Sequence, residues 1–186
     1  MKLNKLQKKI GISFKDVQIL TQALTHKSFD TKNNYEKLEF LGDRVLGFVI
    51  SKKLLELYPN EKVGMIDKKL ANLVNKNKCF EIGKELELDN YILTGNTEKK
   101  KKINIEKKII SDCCESLIGA IYIDKGFEVS SKFILNYWKN YLNLSDITVI
   151  DSKTRLQEYS LKKFKTLPIY KLCLLYTSPS PRDVLR

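Results

Sequence analysis

Apolar residues recur at every third or fourth position from Leu3 to about Leu144, which is the spacing of amphipathic helices. Alternation of period two is scarce in this stretch and its only proline is Pro59, so strands are not expected there. The pattern predicts an all-α fold. Its helices are predicted over 3–10, 17–24, 34–58, 66–88, 109–123 and 129–141. The helix over 66–88 is either continuous or restarted midway.

The helix predicted over 34–58 has two different faces. On a helix of about 100° per residue, Glu36, Glu39 and Asp43 fall within an arc of roughly 60°. Three carboxylates on one face suggest a metal site. The apolar residues cluster on the opposite side and are expected to anchor the helix in the core: Leu38, Leu41, Val45, Phe48 and Val49.

A later predicted helix carries a second pair of acids, Asp112 and Glu115, which share a face because they are three residues apart. Gly119 lies one turn beyond Glu115, as Gly47 lies one turn beyond Asp43, and both glycines are expected to permit close approach of a helix or a substrate backbone. Together the two helices suit an oxygen-ligated divalent cation, with Mg²⁺ favoured. The alternative is that each acid group is only a solvated helix face, and these residues alone leave both open.

Composition adds a polyanion to the expected partners. The chain of 186 residues has 34 basic and 22 acidic side chains and a net charge of +12. Acids clustered inside so basic a chain are explained by a substrate that carries many negative charges, such as nucleic acid. The competing interpretation is a lysine-rich proteome, since 30 of the 34 cations are lysines.

The amino-terminal residues and the cysteine spacing bear on the cellular location and on the kind of metal site. The amino-terminal residues lack the apolar run of a signal peptide, and no segment approaches ~20 apolar residues, so we expect a cytoplasmic protein with no membrane partner. Cys79, Cys113, Cys114 and Cys173 lack the CxxC spacing of zinc or redox sites. A di-iron bundle is disfavoured, because its Glu-x-x-His pairs need more than the single His26.

The organisation changes near residue 144. We predict one helical domain over 1–144, a linker over 145–150, and a helix followed by the start of a strand over 151–172. The tail, 173–186, contains no lysine, while two of the four prolines and two of the four arginines fall in its last eight residues. We expect this tail to be non-native or disordered.

Four segments together resemble the signature of ribonuclease III, and the likeness covers essentially residues 1–144. They are 23–28, which reads Ala-Leu-Thr-His-Lys-Ser, 34–46, which reads Asn-Tyr-Glu-Lys-Leu-Glu-Phe-Leu-Gly-Asp-Arg-Val-Leu, 112–120 and 122–126. The segment 151–172 resembles the opening helix and first strand of the double-stranded-RNA-binding domain of that family. Nothing after residue 172 resembles the remainder of that domain.

The resemblance implies a fold class and an activity: an all-α ribonuclease III endonuclease domain followed by an incomplete α/β double-stranded-RNA-binding domain. Such enzymes are homodimers that cut both strands of double-stranded RNA with Mg²⁺, for which Mn²⁺ is a possible substitute, and leave 5′-phosphate and 3′-hydroxyl ends. They mature ribosomal and messenger RNA precursors. No nucleotide cofactor is implied.

Site residues are carried over by position. Glu39, Asp112 and Glu115 match the metal ligands, Asp43 and Glu115 match the residues treated as catalytic, and Glu36 matches a supporting acid. The cation would polarise a phosphoryl oxygen and lower the pKa of a water molecule. By the same resemblance Phe40 and Leu41 belong near the subunit interface, with ordinary core packing as the alternative, and His26 is assigned to structure.

One departure from the family concerns an outer acid. The position before Gly64 is usually acidic, but here it is Val63, with Glu61 two residues earlier. RNA contacts are expected from the catalytic domain's own lysines, with a steep dependence of binding on salt. These lysines are Lys99, Lys100, Lys101, Lys102, Lys107 and Lys108.

Two other functions stay open beside the nuclease. A nuclease-dead RNA-binding scaffold would keep the fold, but loss of a metal-site acid would mark it, and all four main acids are present. A helical nucleotide pyrophosphatase would also gather carboxylates on paired helices, but it does not explain the excess of basic residues.

Overall fold

The computed structural model describes residues 2–95, 107–143 and 152–170. These residues form helices joined by short turns, with one isolated bridge between Thr25 and Leu93 and no strand within the described ranges. The chain divides into two compact units, Met1–Thr148 and Val149–Arg186. The helices are α1 Lys2–Ile10, α2 Val17–Ala23, α3 Glu36–Leu57, α4 Val63–Leu73, α5 Lys76–Glu85, the short 3₁₀ helix Leu88–Asn90, α6 Lys107–Lys125, α7 Phe127–Asn143 and α8 Ser152–Phe164.

The helix ends follow the predicted breaks. Gly11 ends α1 with φ +69°, and Gly126 separates α6 from α7 with φ +80°, both in the left-handed region that glycine enters without a Cβ clash. Helix α3 stops before Pro59, as predicted. The fourth predicted helix restarts midway, because the Asn75 side chain accepts a hydrogen bond from the Lys78 backbone N–H and caps a new helix.

Helix α6 forms the centre of the first unit. All its residues from Ile109 to Ile121 are buried, and α3 and α5 pack on it most extensively. The buried run includes Cys113 and Cys114, which are free thiols and pack as small apolar residues. Buried Trp138 of α7 adds a polar tie, since its Nε1 donates to the Leu73 carbonyl at 2.8 Å.

The buried face of α3 differs from the predicted one. Leu38, Val45 and Val49 are buried as expected, but Phe48 is 61% exposed, so its assignment to the core is wrong. The buried face continues through Leu46, Ile50 and Leu54, which lie on the side of α3 that also carries the acids. The acids of α3 therefore lie on the same face as buried apolar residues. This face packs against α6, which carries Asp112 and Glu115.

One buried carboxylate ties the end of α6 to the loop before α2. Asp124 accepts hydrogen bonds from the backbone N–H groups of Lys15 and Asp16, both at 2.9 Å. Its side chain is only 3% exposed and pairs with Lys125 at 3.2 Å. Because the contact spans more than 100 residues of sequence, it fixes the amino-terminal helices against the central one.

The second unit is described over 152–170. Helix α8 has exposed Leu156, Tyr159 and Leu161, and its Ser160 Oγ donates to the Thr166 carbonyl at 2.7 Å. Residues 169 and 170 do not form a strand; the rest of the predicted strand, the predicted linker and the predicted tail 173–186 lie outside the described residues. No helix in the described part of the chain has the length and apolar character needed to cross a bilayer.

Candidate functional site

Two glycines allow the acid-bearing helices to cross in backbone contact. A Cβ added at Gly42 of α3 would lie 1.8 Å from the Glu115 carbonyl oxygen, and one added at Gly119 of α6 would lie 2.2 Å from the Leu38 carbonyl oxygen. The prediction for Gly119 is therefore confirmed. At Gly47 an added Cβ would meet nothing within 4 Å, so no described helix approaches it closely, and the approach of a substrate backbone there stays a prediction. Gly42, directly before Asp43, permits the close approach of the helices instead.

This crossing brings three carboxylates together at one point. One oxygen from each of Glu39, Asp112 and Glu115 lies within 4.8 Å of the other two. The Asp112 and Glu115 side chains are almost fully buried, at 4% and 3% exposure, and Glu39 closes the cluster from the more accessible side. Two helices that are far apart in the sequence thus supply one compact set of hard oxygen donors, the kind that Mg²⁺ and Mn²⁺ prefer.

A cationic side chain already lies among these oxygens. The Lys76 Nζ donates to Asp112 Oδ1 at 2.6 Å, to Glu115 Oε2 at 2.7 Å and to Glu39 Oε1 at 3.0 Å. Lys76 is the first residue of α5, which places its ammonium over the crossing of α3 and α6. The cluster therefore fits a cation by two observations, the chemistry of its donors and the positive charge it already holds.

Burial makes Glu39 and Glu115 harder to ionise. Desolvation raises the pKa of Glu115 and of Glu39 above the ordinary glutamate value, although hydrogen bonds from Lys76 oppose the shift. Desolvation lowers the pKa of Lys76, but its hydrogen bonds to Asp112, Glu115 and Glu39 outweigh that cost and raise it. The ammonium is therefore charged at neutral pH, and so it offsets part of the negative charge gathered there.

Asp43 lies beside the cluster and outside its tight group. Its charge contributes to the raised pKa of Glu115, which places the two carboxylates near each other. Asp43 is 38% exposed and pairs with the adjacent Arg44, whose guanidinium also stacks over the Phe40 ring at 5.0 Å. The structure brings together three of the four main acids and leaves Asp43 open to solvent at the edge.

Glu36 lines a small cavity next to the cluster. Its carboxylate pairs with Lys27 at 3.3 Å, and Glu39 and Asp112 also face this cavity, which has a volume of about 210 Å³. The His26 ring lies in its wall, 5.6 Å from the Tyr35 ring, with Nδ1 2.8 Å from Ser28 Oγ. The cavity joins acidic and basic groups at the mouth of the cluster. Its lining residues are His26, Lys27, Tyr35, Glu36, Glu39, Lys108, Ile109 and Asp112.

The lysines predicted to contact RNA divide into two groups. Lys107 and Lys108 begin α6 and are exposed; Lys107 lies over the Phe80 ring at 5.2 Å and Lys108 lines the cavity. The others, Lys99, Lys100, Lys101 and Lys102, lie outside the described residues. Val63, at the position where the family usually has an outer acid, begins α4 and is 81% exposed.

Two contributors to the site were missed by sequence reasoning. Lys76 is one of 30 lysines, and no local motif distinguishes it, because its partners are 36 to 39 residues away in the chain. Gly42 carried a usable signal: it directly precedes an acid of the predicted site on a helix, where glycine costs stability unless a close approach requires it.

This chain is similar to one known family and to proteins of that family over most of its length. The family described as Ribonuclease-III-like matches residues 16–142. A protein named Ribonuclease 3 from Pelagibacter ubique is 62% identical over 174 residues, covering 92% of this chain and 78% of that protein. A second Ribonuclease 3, from Leptospira interrogans, is 40% identical over 176 residues, covering 91% of this chain and 71% of that protein.

Solved structures give the same family. The nuclease domain of ribonuclease III from Campylobacter jejuni, studied for flexibility in its dimer-forming region, superposes with a TM-score of 0.71 at 37% identity. The match covers 74% of this chain and 97% of that domain. Dicer from Pichia stipitis superposes with a TM-score of 0.56 at 19% identity, a likeness of fold.

Proposed function

This chain belongs to the ribonuclease III family, and we propose from that premise that the cluster of Glu39, Asp112 and Glu115 is the hydrolytic centre of an endoribonuclease that cuts double-stranded RNA. The observation that carries the proposal is the meeting of these three oxygens within 4.8 Å at a glycine-lined crossing of α3 and α6. Hydrolysis leaves 5′-phosphate and 3′-hydroxyl ends. The cellular substrates we infer are ribosomal and messenger RNA precursors.

Glu39, Asp112 and Glu115 would hold a divalent cation, with Mg²⁺ as the physiological ion and Mn²⁺ as a substitute. When bound, such an ion supplies Lewis acidity toward a phosphate oxygen and toward the attacking water. The buried carboxylates of Asp112 and Glu115 provide the fixed side of the site, because α6 holds both within the core. Glu39 approaches from α3, so the ligand set depends on how closely the two helices pack.

The remaining acids act around this centre. Asp43 is partly exposed near Glu115, and it would accept a hydrogen bond from a water molecule that approaches a phosphate. Glu36 lies one turn before Glu39 on the same helix face and would act as a supporting acid, with its own charge paired to Lys27. Lys108 lines the same cavity and would contact a phosphate of the cut strand.

Double-stranded RNA suits the charge of the molecule. The net charge of +12 favours a polyanion, whereas the acidic cluster requires a cation between it and any phosphate. A-form RNA is recognised mainly through its shape and backbone. We therefore assign backbone contacts to Lys107 and Lys108, and to Lys99, Lys100, Lys101 and Lys102, rather than contacts that select a base sequence.

The working form that we propose is a homodimer, with one catalytic cluster per subunit cutting one strand. Support comes from the outward face of α3, where Phe40 and Phe48 are 65% and 61% exposed. Arg44 lies over Phe40, and Leu55 extends the same face. Exposed apolar side chains that recur along one face of a helix are typical of a surface that another subunit covers.

We infer that the protein acts in the cytoplasm. The buried free thiols Cys79, Cys113 and Cys114 suit a reducing compartment, and RNA precursors are the substrates proposed above.

The proposal is tested by incubating duplex and single-stranded RNA with the protein and Mg²⁺, and then with a chelator. We expect the duplex alone to be cut, with cutting abolished by the chelator. Glu115→Gln keeps the shape but removes a buried ligand charge, so we expect cleavage to fall by about 100-fold or more, while Glu128→Gln, an exposed acid in α7, leaves it unchanged.

Each alternative gives a different outcome. Duplex binding without cutting by the unaltered chain would indicate a scaffold, and release of pyrophosphate from free nucleotides would indicate a pyrophosphatase. Cleavage that persists in Glu115→Gln at the original rate would remove the cluster from the chemistry.

A further inference from the structure

Lys76 uses all of its hydrogen-bonding capacity on the proposed metal site. A lysine ammonium has three N–H donors and no acceptor, and here three carboxylate oxygens lie 2.6 Å, 2.7 Å and 3.0 Å from Nζ. These oxygens come from the same three residues that form the compact donor set, Glu39, Asp112 and Glu115. The nitrogen therefore lies in the space that their oxygens surround.

The position of Lys76 follows from the start of α5. The Asn75 side chain accepts from the Lys78 backbone N–H and sets the first turn of the helix, with Lys76 as its first residue. The Lys76 side chain is half exposed, at 51%, although its tip is among groups that are only 3% and 4% exposed. The Lys76 side chain thus extends inward from the surface, and its ammonium can move into solvent without disturbing the core.

An ammonium and a divalent cation are mutually exclusive in this space. Both need the same oxygens, and Mg²⁺ binds oxygens at about 2.1 Å, which leaves no position for an ammonium bonded to all three. Without any cation, three carboxylates, two of them buried, would repel one another at short range. The ammonium removes much of that repulsion, because it supplies one positive charge and a hydrogen bond to each acid.

We propose that Lys76 is a built-in competitor for the metal: its ammonium holds the carboxylates together in the metal-free enzyme and leaves when a divalent cation binds. The proposal rests on the metal site of the proposed function and adds a residue that controls it. The free energy of the three hydrogen bonds opposes metal binding, so Lys76 sets the metal concentration at which the site fills. Lys76 also preserves the arrangement of α3 and α6 in the metal-free enzyme.

The test is a titration of the whole chain with Mn²⁺, without RNA, by calorimetry. For Lys76→Gln we expect a dissociation constant at least tenfold lower than that of the unaltered protein, together with a lower melting temperature in the absence of metal. Lys84→Gln is the matched control. Lys84 lies in the same helix, is 48% exposed and pairs with one acid, Asp89, so its replacement changes the net charge equally and should change neither quantity.

The outcomes separate the two proposals. An unchanged or weaker affinity in Lys76→Gln, with normal Mn²⁺ binding by the unaltered protein, overturns the competitor role and leaves the metal site standing. Absence of binding by both proteins overturns the metal site and the competitor together. A merely structural role for Lys76 would lower the melting temperature but would not tighten Mn²⁺ binding.

A second measurement tests the displacement of the Lys76 ammonium even if Lys76→Gln does not fold. In the unaltered protein labelled with ¹⁵N-lysine, an ammonium held by three hydrogen bonds should exchange slowly enough to give an NMR signal without metal. We expect that signal to disappear at saturating Mg²⁺. Its persistence at saturation would overturn displacement of the ammonium.

Discussion

At the scale of single residues, buried carboxylates serve two purposes in this molecule. Asp112 and Glu115 are buried in order to gather charge at one point, whereas Asp124 is buried in order to satisfy backbone donors. Burial opposes ionisation of Asp124, but the N–H groups of Asp16 and Lys15 and the ammonium of Lys125 lower the pKa of its carboxyl below the ordinary value. Its charged form therefore stabilises the folded state.

Removal of this carboxylate should destabilise the first unit in a pH-dependent way. We expect Asp124→Asn to lower the free energy of unfolding by about 1–3 kcal/mol at neutral pH, because one charged acceptor of two backbone donors is lost. Since the folded pKa is lowered, the contribution is complete above the unfolded-state pKa of about 4 and is lost as pH falls toward the folded value. The difference between variant and parent should therefore shrink below pH about 4.

Urea unfolding followed by circular dichroism at several pH values measures this difference. Asp67→Asn, an exposed acid in α4, is the control and should behave like the parent throughout. A difference for Asp124→Asn that stays constant from neutral to acidic pH would contradict the role given to the charge.

Residue types and their spacing gave the identity of the site but only part of its environment. Helical spacing predicted that Glu36, Glu39 and Asp43 share one face, and that Asp112 and Glu115 share another. The resemblance to ribonuclease III then selected Glu39, Asp112 and Glu115 as the expected metal ligands. Lys76 was not found, because its position depends on how α5 packs against two other helices. The pairing of Asp43 with Arg44 was also missed, since adjacent residues on a helix do not ordinarily face each other.

At the scale of helices, the site depends on the separation of α3 and α6. Gly42 and Gly119 face each other at the crossing, where an added Cβ would meet backbone atoms rather than flexible side chains. The backbone atoms cannot move aside without displacing Glu39 or Glu115. The crossing therefore determines both the stability of the unit and the size of the cluster.

Gly119→Ala should lower the free energy of unfolding by about 3 kcal/mol or more, because the new methyl group would lie 2.2 Å from a carbonyl oxygen. Any folded protein should also bind Mn²⁺ more weakly, as the helices are forced apart. Chemical denaturation and calorimetry measure the two effects. Gly64→Ala in α4, where a Cβ meets nothing within 4 Å, is the control, and equal stability of the two variants would refute the tight crossing.

Helix boundaries were predictable because their signals are local. Gly11, Pro59 and Gly126 end helices through backbone conformation alone, and the Asn75 cap restarts one. The orientation of α3 was less predictable. Phe48 was assigned to the core, but the partner helix α6 packs against the acid face and leaves Phe48 61% exposed. Gly47 lies one turn beyond Asp43, where an added Cβ would meet nothing within 4 Å, so the close approach of the helices is at Gly42 instead.

At the scale of the whole molecule, the acidic cluster is a local exception to an overall positive charge. A chain of net charge +12 gathers three acids and one lysine at the crossing of two helices, and exposes aromatic side chains on the outward face of α3. Composition predicts the polyanionic partner. It does not predict which apolar residues stay exposed, because that depends on which faces are left after the core has formed. The predicted boundaries at 144 and 150 lie outside the described residues, so they stay predictions.

The exposed face of α3 leads to a prediction about assembly. Phe40→Glu together with Phe48→Glu should convert the proposed dimer to monomers, since charged groups would replace apolar contact area at the centre of the proposed interface. Sedimentation velocity measures the change over a range of protein concentrations. Val63→Glu, at an even more exposed apolar position in α4, should leave the proposed dimer intact. A double variant that is still dimeric would rule out this face.

The most direct measurement is the anomalous diffraction of a crystal soaked in Mn²⁺. We expect one strong peak within bonding distance of carboxylate oxygens of Glu39, Asp112 and Glu115, with the Lys76 ammonium displaced from its present position. A peak elsewhere, or no peak at saturating Mn²⁺ with the three carboxylates still paired to Lys76, would contradict the metal centre on which the proposed hydrolysis of double-stranded RNA depends.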